Sequence, residues 1–164
     1  RNVVLADRPS SPFDYAPLTS SPGINVFGLE LSGRASFGLH SVFGSYTYQH
    51  LRMAESGLRV TDLPTHFTNL GSTVAVGRRQ TLTLSWLLRS SRPRALADER
   101  PRMAAVGILN GNLNWERIWG ALDGDLALDN VFGLYNQDPA PALAMPGDYP
   151  RPGRSLRLTA RYRF

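Results

Sequence analysis

Arg89, Arg92, Arg94, Arg100 and Arg102 crowd one short stretch of the chain. Guanidinium pairs with carboxylate and phosphate in a two-pronged geometry, so such a stretch suits the capture of an anionic ligand or of anionic headgroups. Asp98 and Glu99 lie in the same stretch, and a solvated loop with internal Arg–carboxylate pairs explains the composition equally well. A second charged set is Asp123 and Asp125 with Arg157 and Arg161. If their segments form a hairpin with Asn130 opposite Arg154, Asp123 falls opposite Arg161. Such a ladder fixes strand register through opposed charges, and the same residues are candidates for a substrate track. His40, His50 and His66 have no ligand spacing and cysteine is absent, so neither a metal site nor a cofactor is expected. No Ser-His-Asp arrangement, carboxylate pair or glycine-rich phosphate loop is recognisable. No catalytic residue is assigned, and an enzyme is not expected.

The elements that position these residues are strands. Ser155 to Phe164 alternate without a break, with Leu156, Leu158, Ala160, Tyr162 and Phe164 on one side and three arginines on the other. Period-two alternation marks a strand with two unlike faces. A strand stub at residues 2–5 precedes seven further candidates: Ile24–Ser32, Phe37–Met53, His66–Gly77, Thr81–Arg89, Met103–Trp115, Trp119–Asn130 and Ser155–Phe164. Short connections are expected at Gly33–Ser36, Arg78–Gln80 and Glu116–Ile118. Long ones are expected at Ala6–Gly23, Ala54–Thr65, Ser90–Arg102 and Val131–Arg154. An up-and-down meander with this alternation gathers all short turns at one end and all long loops at the other.

Several strands repeat the two-faced pattern. Leu82, Leu84, Trp86 and Leu88 oppose Thr81, Thr83 and Ser85, and Leu122, Leu126 and Leu128 oppose Asp123, Asp125 and Asp129. Two settings give such faces: a soluble sheet with one side in a core, or a membrane barrel with lipid outside and water within. Sorted loops, long strands and mid-strand charges favour the barrel. The chain lacks the ~18-residue apolar run of a membrane helix, which does not exclude a membrane barrel, because lipid-facing and lumen-facing residues alternate and average out. The sequence pI is near 10.2, but the arginines are scattered along the chain, and no nucleic-acid partner is expected. Trp115 and Trp119 bracket the third short connection and are read as part of an aromatic girdle.

Asp129-Asn130-Val131-Phe132-Gly133-Leu134-Tyr135, Pro152-Gly153-Arg154-Ser155 and the final Arg161-Tyr162-Arg163-Phe164 together resemble the C-terminal end of TonB-dependent outer-membrane receptors. Gly28-Leu29-Glu30-Leu31 and Tyr46-Thr47-Tyr48 are similar to two upstream strands of that family, and Val131 departs conservatively from its usual leucine. The resemblance implies an antiparallel up-and-down transmembrane β-barrel of about 22 strands, of which residues 1–164 are the C-terminal portion of about eight strands, without the plug domain. It implies an outer-membrane transporter for a scarce nutrient such as a ferric siderophore, haem or a vitamin. The TonB complex would drive it through the missing N-terminal part. Lipopolysaccharide and other outer-membrane lipid, the barrel-assembly machinery and a small-molecule substrate are the implied partners. Leu158, Ala160, Tyr162 and Phe164 match the family's assembly signal. On this reading Trp115 and Trp119 face the periplasmic interface, and Arg92, Arg94, Arg100 and Arg102 are extracellular. The alternatives are a complete small outer-membrane barrel with a structural or adhesive role and a soluble ligand-binding β-domain.

Overall fold

The computed structural model describes residues 3–6, 18–21, 23–95, 98–141 and 146–164. Its main body is one antiparallel sheet of seven strands. In chain order these are β3 (Ile24–Phe37), β4 (His40–Met53), β5 (His66–Gly77), β6 (Gln80–Arg89), β7 (Val106–Trp119), β8 (Leu122–Asp129) and β11 (Ser155–Tyr162). Each pairs with the next in sequence, save that β8 pairs with β11 across a long loop. That loop holds a small two-stranded pairing of its own, β9 (Gln137–Asp138) with β10 (Tyr149–Pro150). A separate hairpin joins β1 (Val3–Ala6) to β2 (Leu18–Ser21). The stub expected from sequence is therefore a strand, but it pairs with a segment expected to be loop. The rest of that loop, residues 7–17 and 22, lies outside the described residues.

The ladder registers carry one face across all seven strands. Leu31 pairs with Tyr46, Leu70 with Trp86, Trp86 with Leu109, Leu113 with Leu126, and Leu126 with Leu158. Opposite residues in a sheet point to the same side, so these form one continuous apolar surface. The other side carries Glu30, Thr47, Asn69, Thr83, Asn112, Asp125 and Thr159, again linked by register. On the inner strands the apolar face is the exposed one: Leu70 is 46%, Leu84 42% and Trp86 47% accessible, whereas Asn69, Thr83 and Ser85 on the other side are half-buried. Burial of large apolar side chains drives soluble folding, yet among the described residues none is fully buried. The few buried residues among those described mix the apolar Met103, Ile108, Ala127 and Ala140 with the charged or polar Arg92, Asp123 and Asn130. A sheet so inverted finds its apolar environment outside itself.

Two of the three short turns sit further along than the sequence suggests. Gly33 is extended and pairs with Gly44; the turn is Gly38-Leu39, between the paired Phe37 and His40. Likewise Glu116–Ile118 is not a turn; Gly120-Ala121 is. Both turns place a glycine first, with φ of 60° and 58°. A type II′ hairpin turn needs positive φ at that position, which glycine adopts without steric cost. A Cβ added to Gly120 meets nothing within 4 Å. Gly120→Ala should therefore cost the backbone penalty alone, about 1–2 kcal/mol, measurable by urea unfolding in lipid. The third turn, Arg78-Arg79, falls where expected.

Trp115 and Trp119 accordingly do not bracket a turn but lie on the same strand. Trp115 pairs with Gly124 and Trp119 with Leu122, leaving three β7 residues opposite Asp123. In this bulge Arg117 takes a φ of 50°. The Asp123 carboxylate accepts its backbone N–H at 2.9 Å, supplying the partner that the broken ladder withdraws.

Candidate ligand-capture site

The long connections, residues 54–65, 90–105 and 130–154, all leave the sheet at the end opposite the three turns. The last two meet there, beginning from Asn130. This residue follows β8 and has a φ of 50°, a conformation asparagine tolerates better than most side chains. Its backbone N–H donates to Asn110 Oδ1 at 2.9 Å. Its side chain bridges the next turn, donating to Leu134 O at 2.8 Å and accepting from Leu134 N at 3.0 Å. Gly133 lies under the Arg154 guanidinium, where a Cβ would come within 3.2 Å of Nη2. The Asp-Asn…Gly…Tyr and Pro-Gly-Arg segments noticed in the sequence are thus the two ends of one loop, packed on each other.

The arginines of residues 89–102 are held by this loop in two networks. In the first, Arg94 makes a two-pronged pair with Asp148, one arm of which is 2.9 Å. Arg94 also reaches Asp98 at 3.5 Å. Arg100 pairs with Asp98 through Nε at 2.8 Å and Nη2 at 2.7 Å, and with Asp148 at 3.4 Å. It further donates to Ala140 O at 2.6 Å. Two arginines and two aspartates thereby clasp one long loop to the other. In the second network Arg89, Arg92 and Arg151 all contact Asp138, at 3.7, 3.3 and 2.5 Å. Arg102 is exposed and touches only Ser91 Oγ, at 3.3 Å, among the described residues.

Internal pairing of Arg100 with Asp98 was one of the two readings open from sequence; Glu99 makes no ion pair among the described residues. Asp138 and Asp148 were missed, because they lie more than forty positions away from Arg92 and Arg94. Their only local signal was their place in a long polar loop.

Hydrogen bonds from Arg100 hold the Asp98 carboxyl down at about 2. Arg94 likewise holds Asp148 below the usual carboxylate range, and the pairing raises Arg94. A carboxylate whose pKa is lowered by folding contributes stability above its unfolded value of ~3.9 and loses it as pH falls through the folded value. The clasp should therefore persist at pH 5 and come apart between roughly pH 4 and pH 2. Hydrogen exchange of residues 98–102 and 146–150 across that range would show it.

At the turn end, the register does set Asp123 opposite Arg161. The ion pair, however, goes to Arg163, at 2.6 Å. Asp125 stands opposite Thr159, and its carboxylate accepts from Asn112 at 2.8 Å. Arg157 stands opposite Ala127, so it faces neither aspartate directly. These side chains line an open cleft of about 510 Å³ on the polar face, together with Asn114 and Glu116. On the apolar side of the same end, Tyr162 and Phe164 make an edge-to-face contact at 5.3 Å, and Trp119 is 84% exposed. Leu158 and Ala160 continue that face along β11. At the loop end Tyr46, Tyr48 and His66 cluster on the same face, with Tyr46 OH 2.8 Å from His66 Nδ1. Amphipathic aromatics thus mark both ends of the apolar band.

No family model matches the chain, and no curated protein matches it in sequence. Solved structures match it in fold. The copper transporter OprC superposes with a TM-score of 0.77 at 15% identity, over 98% of this chain and 27% of that one. The ferric-catecholate import receptor Fiu of E. coli K12 gives 0.70 at 17% identity, over 95% and 23%. A mutant of the ferric enterobactin receptor of Pseudomonas aeruginosa gives 0.71 at 17% identity, over 98% and 26%. The chain thus spans about a quarter of the length of each.

Proposed function

We propose that this chain, which has the fold of the barrel wall of TonB-dependent receptors, is part of an outer-membrane receptor that imports a scarce nutrient. The observation that carries the reading is the inverted sheet: a seven-strand apolar face that is exposed, backed by a polar face, with aromatic side chains at both ends. Barrel walls need this arrangement, since lipid lies outside and water within. A soluble sheet would cover the apolar face. The neighbours in structure carry copper and ferric chelates by name, and we assign this protein a metal chelate, haem or vitamin of the same general kind. Energy would come through TonB.

In that setting the turn end is periplasmic and the loop end extracellular. Trp115 and Trp119 belong to the periplasmic girdle, and the tyrosines at the loop end to the outer one. Asp123, Asp125, Arg157 and Arg161 line the lumen, where Asp123 is paired with Arg163 rather than with Arg161. Arg102, exposed beside the clasp, is the extracellular arginine best placed for first contact with an anionic ligand or with lipopolysaccharide. Arg92, Arg94 and Arg100 shape the loop behind it. Leu158, Ala160, Tyr162 and Phe164 present the apolar pattern that the barrel-assembly machinery would read. Removal of Phe164 should lower the yield of inserted protein, measured as heat-modifiable gel mobility in isolated outer membranes; unchanged yield would sink the assembly role. The function itself is tested by deleting the gene and following growth with single metal chelates as the limiting nutrient. Loss of growth on one chelate, restored by the gene, is expected. Normal growth and uptake on every chelate, haem and vitamin tried would contradict it.

A further inference from the structure

The two arginine networks differ in charge. In the clasp, Arg94 and Arg100 are balanced by Asp98 and Asp148. In the other, three guanidiniums share the single carboxylate of Asp138 among the described residues. The Arg89 and Arg92 side chains are only 9% and 7% exposed. Their remaining partners are neutral: Arg89 Nη2 donates to Asn136 Oδ1 at 3.1 Å, and Arg92 Nη2 to Gln137 O at 2.7 Å. Arg89 Nε is buried and has no hydrogen-bond partner among the described residues. Buried guanidinium is ordinarily paired and its donors satisfied. Three guanidiniums against one carboxylate leave this cluster with an excess of two positive charges among the described residues.

We propose that Arg89, Arg92 and Arg151 form a binding site for one oxyanion group, carboxylate or phosphate, of a soluble ligand. Arg89 ends β6 in register with Thr83 and Ser85 of the polar face, which in the proposed barrel is the lumenal side. That placement rests on the proposed function; the electrostatic deficit does not. Asp138 is the internal anion that holds the three arginines together. Burial pushes its carboxyl up, but Arg151 and Arg92 together keep it below its ordinary value. It is therefore charged at neutral pH and leaves a net excess of positive charge. Guanidinium donates to an oxyanion through Nε and Nη in parallel, and Nε is the donor that Arg89 has free. The cluster draws on β6, the 90–105 loop and β9, plus the residue after β10, so a bound anion would also tie the two long loops together.

The test is calorimetric titration of the purified protein, in uncharged maltoside detergent, with inorganic phosphate and separately with acetate. Saturable binding is expected, weakened about tenfold in Arg89→Gln. Asp138→Asn should tighten binding, because it removes the internal competitor; a purely structural Asp138 would give a less stable protein with no gain in affinity. Heat-modifiable mobility checks that each variant is folded, and Arg89→Lys, which keeps the charge but loses Nε, provides a second, milder loss. Absence of saturable binding in both the unsubstituted protein and Asp138→Asn overturns the proposal. So does binding that Arg89→Gln leaves unchanged. Displacement of phosphate by purified lipopolysaccharide would identify the oxyanion as a lipid headgroup and overturn the soluble-ligand assignment. None of these readouts depends on nutrient uptake, so a failed growth assay and a failed titration point to different errors.

Discussion

Leu158→Arg should destabilise the protein in lipid bilayers by about 2–4 kcal/mol, whereas Thr159→Arg, one residue along, should change stability by less than about 1 kcal/mol. Leu158 sits mid-strand in β11, opposite Leu126, and is 77% accessible. In a soluble protein, a substitution at so exposed a position is usually worth no more than about 0.5 kcal/mol. At the middle of a barrel strand facing hydrocarbon, the same guanidinium must be buried in lipid or dragged to an interface. Thr159 points the other way and stands opposite Asp125, so an arginine there meets a carboxylate in a watery lumen. The pair of substitutions reads the two faces independently of any ligand. Urea titration of folded and unfolded gel bands in vesicles gives both numbers.

Asp148→Asn should release the loop clasp while leaving the sheet intact. Asp148 accepts from Arg94 twice, from Arg100, and from the Ala140 backbone at 3.2 Å. Asparagine retains one acceptor and turns an amide N–H₂ toward guanidinium, so at least one charge-assisted bond is lost and a donor faces a donor. Hydrogen bonds to charged groups contribute more than neutral ones. Local opening of residues 98–102, 138–141 and 146–150 should rise about tenfold or more, seen as faster hydrogen exchange and earlier proteolytic nicking. Exchange in β5 to β8 should not change, because the ladder bonds do not involve the clasp. Equal acceleration in sheet and loops would mean that the clasp supports the barrel wall rather than the loops alone.

The strands and their faces were legible because a half-wetted sheet writes its two sides into alternate residues, and Leu82 to Leu88 or Leu156 to Tyr162 need no partner to be read. The hairpin register of β8 with β11 was legible too, because Asn130 and Arg154 mark its open end. Turn positions were less so. Gly33 and Gly38 look alike in sequence, and only the pairing of Gly33 with Gly44 shows which one must take positive φ. The bulge at Glu116–Ile118 was hidden for the same reason: it depends on Asp123 reaching back to Arg117, a contact made only once β7 and β8 are paired. The loop networks were half legible. Arg100 and Asp98 are neighbours in sequence, whereas Asp138 and Asp148 reach the arginines through the fold of a loop that no periodicity describes.

The account stands or falls on which side of the sheet meets lipid. The chain has no cysteine, so single cysteines placed from residue 81 to 88 along β6 can carry a nitroxide label in the protein reconstituted into bilayers. Positions 82, 84, 86 and 88 should be accessible to oxygen dissolved in lipid, while 81, 83, 85 and 87 should favour a water-soluble relaxant, with the two profiles out of phase. Labels at 82, 84, 86 and 88 that are shielded from both relaxants would place that face in a protein core, and the membrane-barrel reading would be wrong.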